Sequence, residues 1–190
     1  MDEVLFVSHP EVEVDPGRPV PQWSLSPAGR ARMEAFAASP AVEGVKSIFA
    51  CTEVKAVEAA IILADRLDLS VHRLEALGEN DRSATGFVPP AKFEELANQF
   101  FARPDESVMG WERAVDAQTR IRMAVDSLLA SAPAGHVAII AHGGVGTLLL
   151  CHHLGVPISR DYDQPFQGHF WRFRRRDRQV LHAWRSIAPR

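Results

Sequence analysis

Two apolar runs in this chain are each followed by a histidine and a turn. Val4-Leu5-Phe6-Val7-Ser8 leads into His9-Pro10, and Val137-Ala138-Ile139-Ile140-Ala141 leads into His142-Gly143-Gly144. Runs of this length, rich in β-branched residues, predict buried strands of a parallel or mixed sheet over about residues 3–8 and 136–141. Lys46–Ala50 and Val71–Leu74 predict two further short strands. Phe170–Phe173 and Val180–Trp184 alternate apolar and polar residues and predict a pair of strands. Helical spacing fills the gaps. Ser26-Pro27-Ala28-Gly29-Arg30 offers a cap with proline at the first helical position, ahead of Met33, Phe36 and Ala37 on one face. Thr52 is placed to cap a helix through about Leu67, with Val54, Val57, Ile61 and Ala64 at helical spacing. Pro90 opens a helix to about Ala102. A longer helix runs from about Gly110 to Ser131, and another from about Gly144 to Leu154. Residues 75–89 show no period and predict a loop. Strands alternating with helices predict an α/β fold with a mostly parallel sheet, and no linker divides residues 1–190.

Composition narrows the function. A chain of 190 residues, 46% hydrophobic and 24% charged, fits one soluble globular domain. A formal net charge of −3 argues against nucleic acid as a partner. The run Arg172-Phe173-Arg174-Arg175-Arg176-Asp177-Arg178 predicts a strand end and a solvated turn. Cys51 and Cys151, both in apolar contexts, form neither a disulfide framework nor a zinc pattern. The N-terminus is acidic and its apolar run too short for a signal peptide. No stretch approaches the ~20 apolar residues of a membrane span. The expected compartment is the cytoplasm, with no membrane partner. Gly143-Gly144-Val145-Gly146 lacks the full dinucleotide-binding pattern, and no cofactor is expected. Oligomeric state leaves no trace in the sequence.

The chemistry concentrates at the strand ends. Ligands of open α/β sheets bind beyond the carboxyl ends of the strands. His9 and His142 are both delivered there, and the helix start at Gly143-Gly144 offers backbone N–H groups to an anion. A neutral imidazole attacks phosphorus competently. A second imidazole, when protonated, stabilises an equatorial phosphoryl oxygen.

The order and spacing of several short motifs resemble the histidine phosphatase superfamily, with its phosphoglycerate mutase-like fold. Ser8-His9-Pro10-Glu11 sits where that family carries Arg-His-Gly, with Asp15 where it often has asparagine. Leu25-Ser26-Pro27-Ala28-Gly29-Arg30 resembles its Leu-Thr-x-x-Gly-Arg. Phe49-Ala50-Cys51-Thr52-Glu53-Val54-Lys55-Ala56 resembles the segment bearing its second arginine, which puts Lys55 at that position. Leu77-Gly78-Glu79 resembles its acidic loop, and Ala141-His142-Gly143-Gly144 its second histidine motif. The resemblance covers roughly residues 4–150. It implies a three-layer α/β/α sandwich and a metal-independent phosphomonoesterase. His9 would form a phosphohistidine, and Glu79, with Glu75 as its rival, would carry the proton of the leaving group. His142 and Lys55 would hold the phosphoryl oxygens, with Ser8, Asp15, Arg82 and Gly143 lining the phosphate site. The substrate would be a small phosphorylated compound or a phosphoprotein.

Three departures weigh on turnover. Ser8 replaces a guanidinium fork, Lys55 keeps a charge without bidentate geometry, and Pro10 removes an N–H from the phosphate loop. With about 1.5–3 kcal/mol per charge-assisted hydrogen bond, the loss is roughly 3–6 kcal/mol, or about 10²–10⁴ in rate or affinity. That is compatible with a slow phosphatase, a phosphate- or phosphopeptide-binding module without turnover, or a phosphohistidine protein phosphatase. Arg82 is the preferred compensating arginine, with Arg18, Arg113 and Arg120 as alternatives.

Overall fold

The computed structural model describes residues 2–190. Six strands form one sheet: β1 (Glu3–Ser8), β2 (Val45–Ala50), β3 (Val71–Arg73), β4 (His136–Ala141), β5 (His169–Arg174) and β6 (Val180–Ser186). Five α-helices accompany them: α1 (Pro27–Ala37), α2 (Val54–Leu67), α3 (Pro90–Ala102), α4 (Ala114–Ser131) and α5 (Gly143–Leu154). The strand order is β3-β2-β4-β1-β5-β6. The ladders among β3, β2, β4 and β1 are parallel, whereas β1–β5 and β5–β6 are antiparallel. The sheet is therefore mixed, with the parallel part where helical crossovers connect strands and the antiparallel part where a turn joins β5 to β6.

Adjacent residues of β5 show the layering. Phe170 packs on Phe36 of α1, while Trp171 turns to the other face and stacks on Phe6. Phe6 in turn closes on α5, where a Cβ added at Gly146 would lie 2.6 Å from its ring. Helices α1 and α2 pack together on one face, and α4 and α5 on the other, giving a three-layer α/β/α sandwich. Residues Val4–Val7 and Val137–Ala141 have no exposed surface, which explains why both strands read as unbroken apolar runs. Among the described residues, no helix is long and apolar enough to cross a membrane.

Several boundaries move for identifiable reasons. Ser26 caps α1 as expected, accepting the Gly29 N–H at 3.1 Å. Thr52 does not cap α2. That helix starts at Val54 behind Glu53, whose side chain makes no cap bond because it is drawn to Lys55 and His142. Helix α4 begins at Ala114 rather than near Gly110, since Met109 (φ 51°) and Gly110 (φ 81°) are left-handed and break the helix. The loop at 75–89 opens with a short 3₁₀ turn, Glu75–Leu77.

Candidate active site

The parallel register brings the two histidines together. Ser8 pairs with Ala141, and the His9 N–H donates to the Ala141 carbonyl at 3.0 Å. The residues that follow in each strand are therefore neighbours beyond the sheet edge. The rings of His9 and His142 lie 5.2 Å apart between centroids, at 73°. His9 is 8% exposed and His142 1%. The Nδ1–H of His9 donates to the Pro10 carbonyl at 2.8 Å. A carbonyl only accepts, so the bond fixes the tautomer and leaves a lone pair on Nε2. Burial above all, with the charges of His142 and Lys55, lowers the His9 pKa to about 3. At neutral pH the ring is uncharged.

Behind His142 lies a buried ion pair. Lys55, on the first turn of α2, donates to the Val20 carbonyl at 2.9 Å and to the Glu53 carboxylate. Glu53 Oε1 is 3.3 Å from Nε2 of His142, and Cys51 Sγ is 2.9 Å from the same nitrogen. Burial alone would raise the Glu53 pKa, but His142 and Lys55 outweigh it and hold the carboxyl at about 2. An ionised carboxylate only accepts, so the proton of His142 sits on Nε2. Burial lowers the His142 pKa, and it pushes the Cys51 thiol up to about 12. The donor atoms of Cys51, Glu53 and His142 all lie within 4.8 Å of one another. They do not fit a zinc ion. Tetrahedral ligands on such bonds stand about 3.5 Å apart, the sulfur and nitrogen are closer, and the Lys55 ammonium already occupies the carboxylate.

The start of α5 supplies the anion cradle, and Glu79 fills it. The Glu79 carboxylate accepts the N–H groups of Gly144 at 3.1 Å and Val145 at 2.9 Å. A Cβ at Gly144 would lie 2.7 Å from Glu79 Oε1, so this approach needs glycine. Arg120 of α4 fixes the loop that carries Glu79, donating to the carbonyls of Ala76, Gly78 and Glu79 while paired with Glu112. Arg82, farther along the loop, stacks over Phe93 and Trp111 at 5.0 and 5.6 Å, and its charge reaches His142. Gly143 supports Gln164, whose amide nitrogen would stand 2.1 Å from a Cβ there.

Not every expected residue joins this group. Ser8 is adjacent in sequence, but its hydroxyl is bonded to the Gln164 side chain and accepts the His169 N–H at 3.1 Å. Asp15 is exposed and serves the Gly17 N–H and Arg18. Glu75 is exposed, which leaves Glu79 as the loop carboxylate beside the histidines. Arg18 and Arg113 are exposed partners of Asp15 and Asp116. Sequence reasoning missed Glu53 and Gln164. Glu53 lies two residues before Lys55, and a buried lysine demands a counter-charge, so that signal was present. Gln164 left none, because its place depends on the return of the chain before β5.

The profile of the Histidine phosphatase superfamily (branch 1) matches residues 4–176. No curated protein matches the chain. Among solved structures, the mycobacterial glucosyl-3-phosphoglycerate phosphatase complexed with VO3 is 22% identical, with 98% of this chain and 100% of that one covered and a TM-score of 0.81. Bacillus stearothermophilus YhfR is 19% identical, with 96% and 95% covered and a TM-score of 0.76. A mutant phosphoserine phosphatase of Entamoeba histolytica in complex with phosphoserine is 16% identical, with 98% of each chain covered and a TM-score of 0.75. At these identities the likeness is one of fold.

Proposed function

This chain belongs to the histidine phosphatase superfamily, branch 1, and from that membership we propose that it is a metal-independent phosphomonoesterase with His9 as nucleophile. One observation carries the reading: two buried imidazoles 5.2 Å apart, with the His9 Nδ1–H tied to the Pro10 carbonyl so that Nε2 keeps its lone pair. Nε2 attacks the phosphorus in line as the ester P–O bond breaks, giving a phosphohistidine and an alcohol. Glu79, on the rim of the α5 amides, carries the proton to the leaving oxygen and then takes one from the water that hydrolyses the intermediate. Lys55 and Arg82 bring positive charge near the phosphoryl oxygens, and the His142 ring and the amides at the start of α5 line their position. The substrate is a small phosphate ester. The mycobacterial phosphatase and the phosphoserine phosphatase named above act on such esters, and their shared fold supports this class.

A specific observation favours a second reading, a phosphate-binding module without turnover. Glu79 already occupies the helix amides, and Ser8 is closed off by Gln164 where the family carries a guanidinium. An aryl phosphate assayed with EDTA separates the two. Turnover that falls at least about 10³-fold in His9→Ala supports the phosphatase. Absent turnover with vanadate still bound supports the module, and neither turnover nor oxyanion binding removes both.

A further inference from the structure

The charged groups around His9 and His142 cancel. Glu53 stands 3.3 Å from His142 and is paired with Lys55, Glu79 accepts the amides two and three residues past His142, and Arg82 lies farther along the Glu79 loop, over Phe93. The ammonium of Lys55 is spent on Glu53 and the Val20 carbonyl. Glu79 sits on the amides of Gly144 and Val145, two donors that a phosphoryl oxygen would otherwise take. From the segment before β5, Asp163 accepts the Thr147 hydroxyl at 2.8 Å and lies 3.8 Å from Arg160. From α4, Arg120 faces Glu79 and is matched by Glu112 and Asp81. Burial lowers the pKa of both imidazoles. The wall presents no net positive charge to an incoming anion.

This balance discriminates between the ionic forms of a phosphoryl group. The cost of taking an ion out of water grows with the square of its charge, so a dianion costs roughly four times as much as a monoanion. The return from the wall grows only in proportion to charge, and a neutral wall returns little. A singly protonated phosphoryl group also has an O–H to donate, and Glu79 places a carboxylate acceptor at the oxygen cradle. We infer that the site takes the singly charged, protonated form of a phosphate ester and discriminates against the dianion. This rests on the phosphoryl reading above and specifies its substrate. The bound ester then brings its own proton. The P–O–H proton passes to Glu79 and on to the ester oxygen as the Nε2–P bond forms and the P–O ester bond breaks, leaving the neutral alcohol and a dianionic phosphoryl group on a His9 imidazolium that keeps its Nδ1 proton.

Calorimetric titration of the full chain with inorganic phosphate and with hypophosphite tests the inference. Phosphate loses its second proton between about pH 6 and 7, so its affinity should fall about 10- to 100-fold from about pH 5 to about pH 8. Hypophosphite is singly charged throughout and should hold its affinity within about twofold. In Glu53→Gln one negative charge is gone, and the fall for phosphate should shrink by about tenfold, with circular dichroism confirming the fold. Phosphate binding that is level or tighter at the alkaline end overturns the inference. So does hypophosphite binding that strengthens toward acid as steeply as phosphate, because the proton then sits on the protein. An unchanged fall in Glu53→Gln overturns the charge balance as its cause. Turnover through His9 alongside an alkaline preference overturns this inference alone, whereas no binding of either anion and no turnover overturns the phosphoryl reading with it.

Discussion

Replacing Glu53 by alanine should expose how much the buried pair behind His142 stabilises the fold. The Lys55 and Glu53 side chains are 5% and 17% exposed, so solvent screens the pair weakly. The carboxyl is lowered from 4.5 to about 2, and at 1.36 kcal/mol per pH unit that corresponds to about 3 kcal/mol. Removing one partner of a buried pair independently costs about 3–5 kcal/mol, because the other charge is stranded. For a chain of this length each kcal/mol moves Tm by about 2–4 °C, so Glu53→Ala should melt roughly 6–12 °C below the wild type at neutral pH. Because the folded carboxyl is depressed, its contribution is fully present above pH 4.5 and is lost as pH falls through about 2. Adding Lys55→Met should recover most of the loss, since an apolar replacement strands no charge. Calorimetric melting of the wild type, both single variants and the double variant supplies the cycle. A Tm shift under about 2 °C for Glu53→Ala, or single effects that add within about 0.5 kcal/mol, would refute the reasoning.

Other outcomes follow from the same geometry. Lys55→Ala should weaken vanadate binding at least about tenfold, and an unchanged affinity by titration would remove Lys55 from the oxyanion site. Arg82→Ala should weaken it by about 10- to 100-fold with little change in Tm, since Arg82 stacks on Phe93 and Trp111 at the edge of the core; equal affinities would show that no compensating guanidinium reaches the ligand. Gly144→Ala should drive the Glu79 carboxylate off the α5 amides and lower kcat by at least about tenfold, whereas wild-type kinetics would show that its position there is immaterial. His9 is held neutral with its pKa lowered from 6.5 to about 3, so folding stability should decline as pH drops below 6.5, by at most about 1.4 kcal/mol per pH unit from this ring. Urea unfolding at several pH values checks that, and His9→Ala should lessen the slope.

The fold and half of the site were legible because they are local. The apolar runs before His9 and His142 showed two buried strands, and parallel register then made neighbours of the residues beyond them. Ser26 capped α1 because a hydroxyl three residues before a free N–H needs nothing else. Thr52 had the same chemistry and failed, because the residue after it answers to a buried lysine and a histidine from another strand. Long-range partners of this kind leave little local trace. Gln164 closes over Ser8 from 156 residues away, and the Glu79 carboxylate reaches Gly144 across 65. Ser8 and Lys55 were placed by their resemblance to a pair of arginine positions. What each does instead depended on Gln164 and Glu53, which only the folded chain brings beside them.

The most direct test is chemical. Mass spectrometry of the chain, quenched in alkali during turnover of an aryl phosphate, should find an acid-labile phosphoryl group on the peptide that carries His9, absent from the His9→Ala variant. Turnover that leaves His9 unmodified and survives its replacement, or a phosphoryl group on another residue such as Cys51, would contradict the assignment of the nucleophile.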